Sequence, residues 1–308
     1  PFSAPLSGAE LVFPGSKLDG VSLFDLLNET ETRSAWGVPT IWAGLLQEIA
    51  DRDALPQGFD HVVSGGAAAP ANMITSFEGR GVDVCHSWGM TEMSPIGSHG
   101  QTFAPLADLS IEEKLKFKTT QGRRMFGVDM KIVDENGQAL PHDGTSIGEL
   151  FVRGNSIVSG YFKNEEASAK ALDSDGWFAT GDMATIDPSG FMAIADRAKD
   201  LIKTGGEWIS SIDLENCAMS HPGVATCAVV GAYHPKWDER PLLIVVTAEG
   251  AAPDRQSIID HLAAVFAKWQ LPDDVIFVDD LPMTATGKVS KLDLRTSYKY
   301  HLHEPASV

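Results

Sequence analysis

No run of about eighteen uncharged apolar residues occurs in the chain, which excludes a transmembrane helix. Basic residues are scarce: 24 Lys and Arg against 42 Asp and Glu leave a net charge of −18 and a pI near 4.8. So acidic a surface argues against nucleic acid or an anionic membrane as a main partner. A few lysines focused in one cleft would still suit a small anionic substrate. Cysteine is limited to Cys85, Cys217 and Cys227, too few for a disulfide scaffold and in keeping with a reducing compartment. With no Cys-x-x-Cys pair, a structural zinc site is not expected. The opening PFSAPLSGAE lacks a basic leader and an apolar signal core, so a soluble, cytoplasmic chain without a secretory segment is expected. It also lacks an initiator methionine, as a processed chain or a fragment would.

The 308 residues, 43% of them hydrophobic, exceed what one compact domain usually needs, so two domains are expected. Residues 1–196 carry 13 basic and 27 acidic side chains, whereas 197–308 carry 11 and 15; the change hints at a boundary. The first part reads as α/β. A short strand, a turn at Pro39 and an amphipathic helix with Leu45, Leu46 and Ile49 on one face are followed by FDHVVSGGAAAP, a strand entering a small-residue turn and a helix near 70–79. GVDVCHSWGMTE is a further strand ending in a loop. From 121 to 195 short strands alternate with turn signals at Asn136-Gly137 and Pro188-Ser189-Gly190, the pattern of a β subdomain. The last hundred or so residues read strand–helix–strand–strand–helix–strand, a small α+β domain in which Ser211 caps the first helix and RQSIIDHLAAVFAKW forms the second.

Three apparent motifs fail on context. Gly144-Thr145-Ser146-Ile147-Gly148 has the nucleophile-elbow spacing, but a polar turn precedes it and a strand follows, the reverse of what the elbow requires. Gly287-Lys288 lacks the first Walker glycine, because Pro282 stands there. Cys85 and His86 are adjacent and point to opposite sides of a strand, so they form no dyad.

Four segments offer chemistry. In Ser64-Gly65-Gly66-Ala67-Ala68-Ala69-Pro70, glycines between strand and helix let a planar ligand approach the backbone, or merely make a tight connection. Ser87-Trp88-Gly89-Met90-Thr91-Glu92 lies at a strand's C-terminal end, where open α/β sheets bind ligands. Trp88 offers a face for a base, Thr91 a hydroxyl for phosphate and Glu92 a hard oxygen for Mg²⁺; a buried Trp and a solvated Glu is the plainer reading. Gly176-Trp177-Phe178-Ala179-Thr180-Gly181-Asp182 precedes Asp196-Arg197-Ala198-Lys199-Asp200. Asp182 could accept from two ribose hydroxyls and Arg197 donate to the same sugar, or the two could be an exposed ion pair. Thr284-Ala285-Thr286-Gly287-Lys288 puts a lysine in a small-residue loop, as a mobile cation or a solvated one.

Their joint order is more telling than any one of them. With HSWGMTE, WFATGD, DRAKDLIKTGGEWIS and TATGK in succession, the chain resembles the AMP-forming acyl-CoA synthetases, within the acyl-adenylate-forming enzymes that include luciferases and peptide-synthetase adenylation domains. WGVPTIW, HPKWDERPLL and KTGGEWISS are most similar to the branch acting on fatty and related alkanoic acids, including methylmercaptopropionate-type ligases. The resemblance covers essentially the whole chain. It implies the C-terminal part of a large adenylate-forming domain over 1–196 (α/β 1–120, β subdomain 121–196), then a small mobile domain over 197–308.

The resemblance also implies the reaction: a carboxylate attacks the α-phosphate of ATP, giving acyl-AMP and pyrophosphate, and the CoA thiol then displaces AMP. Carried over by motif, Trp88 stacks on adenine where the family more often has tyrosine. Gly65, Gly66 and Ala67 line the adenine and acyl pocket, with Ser87, Gly89 and Met90 beside the nucleotide. Thr91 touches phosphate, Glu92 holds Mg²⁺, and Asp182 and Arg197 hold the ribose. Lys288 corresponds to the adenylation lysine, Lys199 to the hinge and Lys203 to a lysine kept for the second half-reaction. Gly205, Gly206, Glu207 and Trp208 flank the tunnel for the CoA pantetheine. Trp36, Val38, Pro39, Trp42, Met90 and Met93 make an apolar acyl pocket, which favours a short- to medium-chain alkyl or thioether acid.

The family's Ser/Thr/Gly-rich phosphate loop ending in Pro-Lys-Gly does not occur in these residues. The expected partner is therefore the missing N-terminal part of the same enzyme, on the order of 230 residues, and the 308-residue chain alone is not expected to adenylate efficiently. The family often dimerises, which makes a homodimer possible. Two other readings stay open: transfer of the acyl group to a carrier protein or to oxidation, and a non-catalytic nucleotide-binding module.

Overall fold

The computed structural model describes residues 3–101, 109–284 and 288–303. It divides into two compact units, Pro1–Gly89 with Ser98–Gly122, and Met90–Gly97 with Arg123–Val308. No helix among the described residues is long and apolar enough to cross a membrane.

In the first unit, helices α1 (Ser3–Ser7) and α2 (Gly20–Glu29) lead to β1 (Ser34–Gly37), α3 (Pro39–Arg52), β2 (His61–Ser64), α4 (Ala71–Glu78) and β3 (Asp83–Gly89). β1, β2 and β3 pair in parallel, with Ser34 opposite His61 and His61 opposite Asp83. Pro39 is the first residue of α3 rather than a separate turn, where its missing N–H and fixed φ suit the helix start. Trp42, Leu45 and Ile49 of α3 join Phe24, Val62, Ile74 and Phe77 in one core. The sheet continues into β4 (Ile96–His99), and α5 (Ile111–Lys118) starts at a capping box made by Ser110 and Glu113. Lys118 is buried at the end of α5, its ammonium within 2.6 Å of carboxylates on Glu78 and Asp83.

The second unit holds β5 (Arg123–Arg124) and two larger sheets. The first is an antiparallel four-stranded meander, β6 (Val128–Val133), β7 (Gly148–Gly154), β8 (Phe178–Ile186) and β9 (Met192–Arg197), with α6 (Glu165–Ala171) in the β7–β8 connection. Asp143 caps the turn before β7 by accepting the Thr145 and Ser146 amides, so the Gly-x-Ser-x-Gly string is a turn entering a strand.

The second sheet runs β11 (Glu207–Ile209), β10 (Ile202–Thr204), β13 (Asp238–Thr247), β12 (Val224–His234), with β14 (Asp274–Phe277) also on β13. Both its faces are covered, which is why its central strands read as continuous apolar runs. Cys227, Val229, Leu243 and Val245 pack on α7 (Ser211–Ala218) and α8 (Arg255–Ala263). Ala228, Val230, Leu242 and Ile244 share a cluster with Leu294 of α9 (Lys291–Tyr298). Three local expectations need correction. The cap of α7 is Ser210, whose hydroxyl accepts the Asp213 amide, while the Ser211 hydroxyl is buried and donates to Asp196. Helix α8 stops at Ala263 instead of running on to Trp269, and α9 follows the last strand where no helix was anticipated. The sequence boundary at 196/197 falls within the second unit, at the end of β9.

Candidate active site

In the first unit two loops leave the C-terminal ends of β2 and β3. The first is the Gly65–Pro70 segment. The Gly65 amide donates to Gly37 O at 3.1 Å, and a Cβ at Gly65 would lie 3.1 Å from the Ser87 carbonyl, so glycine lets the loop lie against β3. Gly66 has φ +80°, a left-handed conformation that glycine adopts without steric cost. Beneath the loop His86 is 1% exposed. Its Nε2 accepts the Ala69 amide at 3.3 Å, and its Nδ1 lies 3.2 Å from the Thr119 carbonyl. Burial pushes its pKa down to about 4 against backbone contacts to Thr119 and Ala67 that favour the proton. A neutral imidazole thus ties the glycine loop to the strand that carries the second motif. Sequence reading set His86 aside; its burial is a tertiary property.

At the end of β3, the Ser87 hydroxyl lies 2.6 Å from His99 Nδ1, Trp88 is half-buried and Gly89 is exposed. Trp36 of β1 is 63% exposed, whereas Trp42 is 3% exposed and meets Phe77 edge-on with ring centroids 6.4 Å apart. Trp42 is a core residue of this unit, and Trp36 is the tryptophan that offers open apolar surface. Val38 is the residue before α3 and Pro39 its first.

In the second unit, Thr91, Glu92 and Met93 form a single 3-10 turn after the half-buried Met90. Thr91 is exposed and Met93 is 1% exposed. The Tyr161 hydroxyl donates to Glu92 Oε1 at 2.9 Å, and the Glu92 carbonyl accepts the Val158 amide. Burial raises the Tyr161 pKa, and the Glu92 carboxylate adds to the shift. The bond uses one carboxylate oxygen and leaves the other, a hard donor of the kind that fits Mg²⁺. Tyr161 was not identified from the sequence; 69 residues separate it from Glu92, and no spacing rule joins them.

Asp182 on β8 and Arg197 on β9 are cross-strand partners, with Arg197 Nε 3.5 Å from Asp182 Oδ1. Asp182 is 5% exposed and Arg197 is exposed, so an acceptor at the floor is paired with a donor at the rim. Lys288 joins them electrostatically. Burial lowers its pKa first, the Arg197 charge lowers it further, and the Asp182 carboxylate opposes both. Its backbone pairs with Thr284, which donates its amide to the Lys288 carbonyl at 2.7 Å. Ala285, Thr286 and Gly287 of the same motif lie outside the described residues.

Lys199 is exposed in the turn after β9, where the Asp200 and Leu201 amides both donate to the Arg197 carbonyl. Lys203 stands on the β10–β11 hairpin. It faces Trp208 across β10 and β11, its ammonium 5.8 Å from the indole. Gly205 and Gly206 make the connecting turn with φ of +59° and +97°, a pair of positive angles that favours glycine. Glu207 is exposed beside the half-exposed Trp208. The structure therefore pairs Asp182 with Arg197 within electrostatic reach of Lys288, joins Glu92 to Tyr161, and sets Lys203 opposite Trp208 on one hairpin.

Comparison with known proteins identifies the family. The model for AMP-binding enzymes matches residues 2–162, and that for the AMP-binding enzyme C-terminal domain matches 213–288. A 3-methylmercaptopropionyl-CoA ligase from Ruegeria lacuscaerulensis is 50% identical over 300 residues, 97% of this chain and 55% of the relative. A medium-chain-fatty-acid–CoA ligase from Ectopseudomonas oleovorans is 47% identical, over 97% and 54%. The chain thus spans about half the length of the curated relatives it matches. Among solved structures, the anthranilate CoA ligase AuaEII in complex with anthranoyl-AMP superposes with a TM-score of 0.83 at 26% identity, over 94% of this chain and 55% of that one. The o-succinylbenzoate CoA synthetase of Bacillus subtilis with its acyl-adenylate intermediate gives 0.79 at 27% identity, over 96% and 57%. With both family models matched in chain order on an adenylate-forming fold, this chain belongs to the AMP-binding enzymes, in the branch of the AMP-forming acyl-CoA synthetases.

Proposed function

We propose that the protein to which these residues belong activates a short- to medium-chain carboxylic acid, fatty or thioether, as acyl-AMP and transfers the acyl group to CoA. The observation that carries the reading is the cluster of Lys288 with Asp182 and Arg197. A ribose held by Asp182 and Arg197 puts the α-phosphate of its nucleotide within reach of a cation already gathered at the same place. There the Lys288 ammonium offsets negative charge that develops as the carboxylate attacks phosphorus, and holds the two anions together. In the same unit Thr91 offers a hydroxyl for phosphate, and in the first unit Trp88 offers an aromatic face of the kind that stacks on a base. Magnesium suits Glu92, held in place by Tyr161, and when bound it would screen phosphate charge.

The second half-reaction needs a narrow passage for pantetheine. Gly205 and Gly206, having no side chains, would leave room for one, and Lys203 and Trp208 stand on the strands they connect. A boundary near 196/197 with Lys199 as hinge would let the small domain withdraw Lys288 and present this hairpin instead. The open indole of Trp36 favours an alkyl or thioether tail over a charged one, in keeping with the substrates of the two ligases named above. The test is thioester formation by the full-length enzyme, read by mass spectrometry with ATP, Mg²⁺, CoA and acids from propionate to decanoate plus 3-methylmercaptopropionate. Thioester from one of these acids that requires free CoA supports the ligase. Acyl-AMP without thioester would redirect it to another acceptor, and no acyl-AMP from any acid would overturn it.

A further inference from the structure

His61, Asp83 and Cys85 meet on one face of the first unit's sheet. His61 opens β2 and Asp83 opens β3, opposite each other in the parallel register. Cys85 lies two residues on, pointing to the same side as Asp83. His61 Nε2 is 3.4 Å from Cys85 Sγ and 3.7 Å from Asp83 Oδ2, and Cys85 Sγ is 3.9 Å from that same oxygen. Hydrogen bonds run from His61 to the Cys85 thiol and from that thiol to Asp83, and the same three donor atoms also converge on one point. Thiol and carboxylate approach the same imidazole nitrogen, which carries one proton or one lone pair, and 3.7 Å is too long for a histidine–carboxylate hydrogen bond. For the same reason the trio is not a nucleophile relay, in which the acid would hold the opposite nitrogen.

A circle through three atoms at those separations has a radius of about 2.1 Å, close to zinc's bond lengths to nitrogen and oxygen and slightly short of its bond to sulfur. We propose that His61, Asp83 and Cys85 form a divalent-cation site of the zinc class, with one thiolate, one imidazole and one carboxylate as ligands. The supporting atoms are in place. The Ser34 hydroxyl lies 2.8 Å from His61 Nδ1, which leaves Nε2 to face the ion. The Lys118 ammonium holds Asp83 Oδ1 at 2.6 Å, orienting Oδ2 inward. Cys85 is fully buried, while His61 and Asp83 are part-exposed, so the ion has a path in and water can complete its shell.

The site lies at the starting ends of β2 and β3. His61 is four residues before Gly65, about 13 Å along an extended strand, so the cation is separate from the glycine loop and ties two core strands together. It stands whether or not the catalytic reading above holds. On binding, Cys85 releases its thiol proton to solvent and bonds the metal as thiolate.

The test is titration of the purified chain with Co²⁺, followed by displacement with Zn²⁺. One equivalent of Co²⁺ is expected to produce a thiolate-to-cobalt charge-transfer band, with visible d–d bands of a four-coordinate ion, both abolished by Zn²⁺. Cys85→Ser and His61→Ala should each remove the band and weaken binding at least tenfold, whereas Cys217→Ser should leave both unchanged. Circular dichroism of each variant separates lost ligation from lost folding, and His61→Cys is expected to retain a thiolate site even if His61→Ala unfolds. Saturable binding without a thiolate band, a band that follows Cys217, or no binding would each overturn the proposal.

Discussion

At the scale of single residues, two titrating groups decide how pH acts. His86 has its pKa lowered from about 6.5 to about 4 by burial. The unfolded chain therefore binds a proton through that window when the folded one does not. Its contribution to stability is complete above about pH 6.5 and is lost as pH falls toward 4, by at most about 3 kcal/mol. His86→Asn should flatten the fall of Tm between pH 7 and 4.5, read as the difference between variant and parent scans. Lys288 also has its pKa lowered, and the role proposed for it requires the ammonium. Adenylation by the full-length enzyme should then lose rate on the alkaline side below the usual lysine range near 10.4. Lys288→Arg should move that limb upward, and Lys288→Ala should cost on the order of 10²- to 10³-fold in pyrophosphate exchange. An unchanged exchange rate in the alanine variant would remove the role assigned to this lysine.

At the scale of elements, the β10–β11 hairpin and the end of α5 carry sharper expectations than propensity alone would. A Cβ at Gly205 would lie 2.8 Å from the Trp237 ring, while one at Gly206 would meet nothing within 4 Å. Both glycines have positive φ, so Gly206→Ala should cost about 1–2 kcal/mol of local stability and Gly205→Ala more. In the full-length enzyme Gly205→Ala should slow thioester formation while pyrophosphate exchange is retained, a split that single-turnover assays with and without CoA resolve. Lys118, 4% exposed, pins α5 to Glu78 of α4 and Asp83 of β3. Lys118→Ala leaves two carboxylates without their cation and should destabilise the unit by about 3–5 kcal/mol in urea unfolding. The sequence pattern identified the strand–helix order around the hairpin, α4 and β3, but not helix α5, which carries Lys118. It missed the true cap of α7 because Ser210 and Ser211 are adjacent and equally able to cap; burial of Ser211 against Asp196 settles which one does.

At the scale of the whole molecule, the described residues form two units and three sheets, and the family resemblance implies a phosphate loop that these 308 residues do not contain. The mass-verified chain alone is expected to show no pyrophosphate exchange above background, and the same residues within the full-length enzyme to show it. Robust exchange by the isolated chain would mean that the described residues suffice for adenylation.

The sequence by itself determined the family and the order of the motifs, because glycine turns, strand ends and the residues that follow them are local features written in consecutive positions. It also placed Glu92, Asp182, Arg197 and Lys288 on those motifs. Which distant residues meet was decided only by the tertiary structure. Strand alternation says that Cys85 and His86 face opposite ways, but not that His61 from the next strand lies beside Cys85 or that His86 supports Ala69. Helix and strand periods likewise say nothing of Tyr161 reaching Glu92, or of Lys288 coming within the field of Asp182 and Arg197. These pairings depend on strand order and connection geometry, and local sequence encodes the faces of an element but not its neighbours.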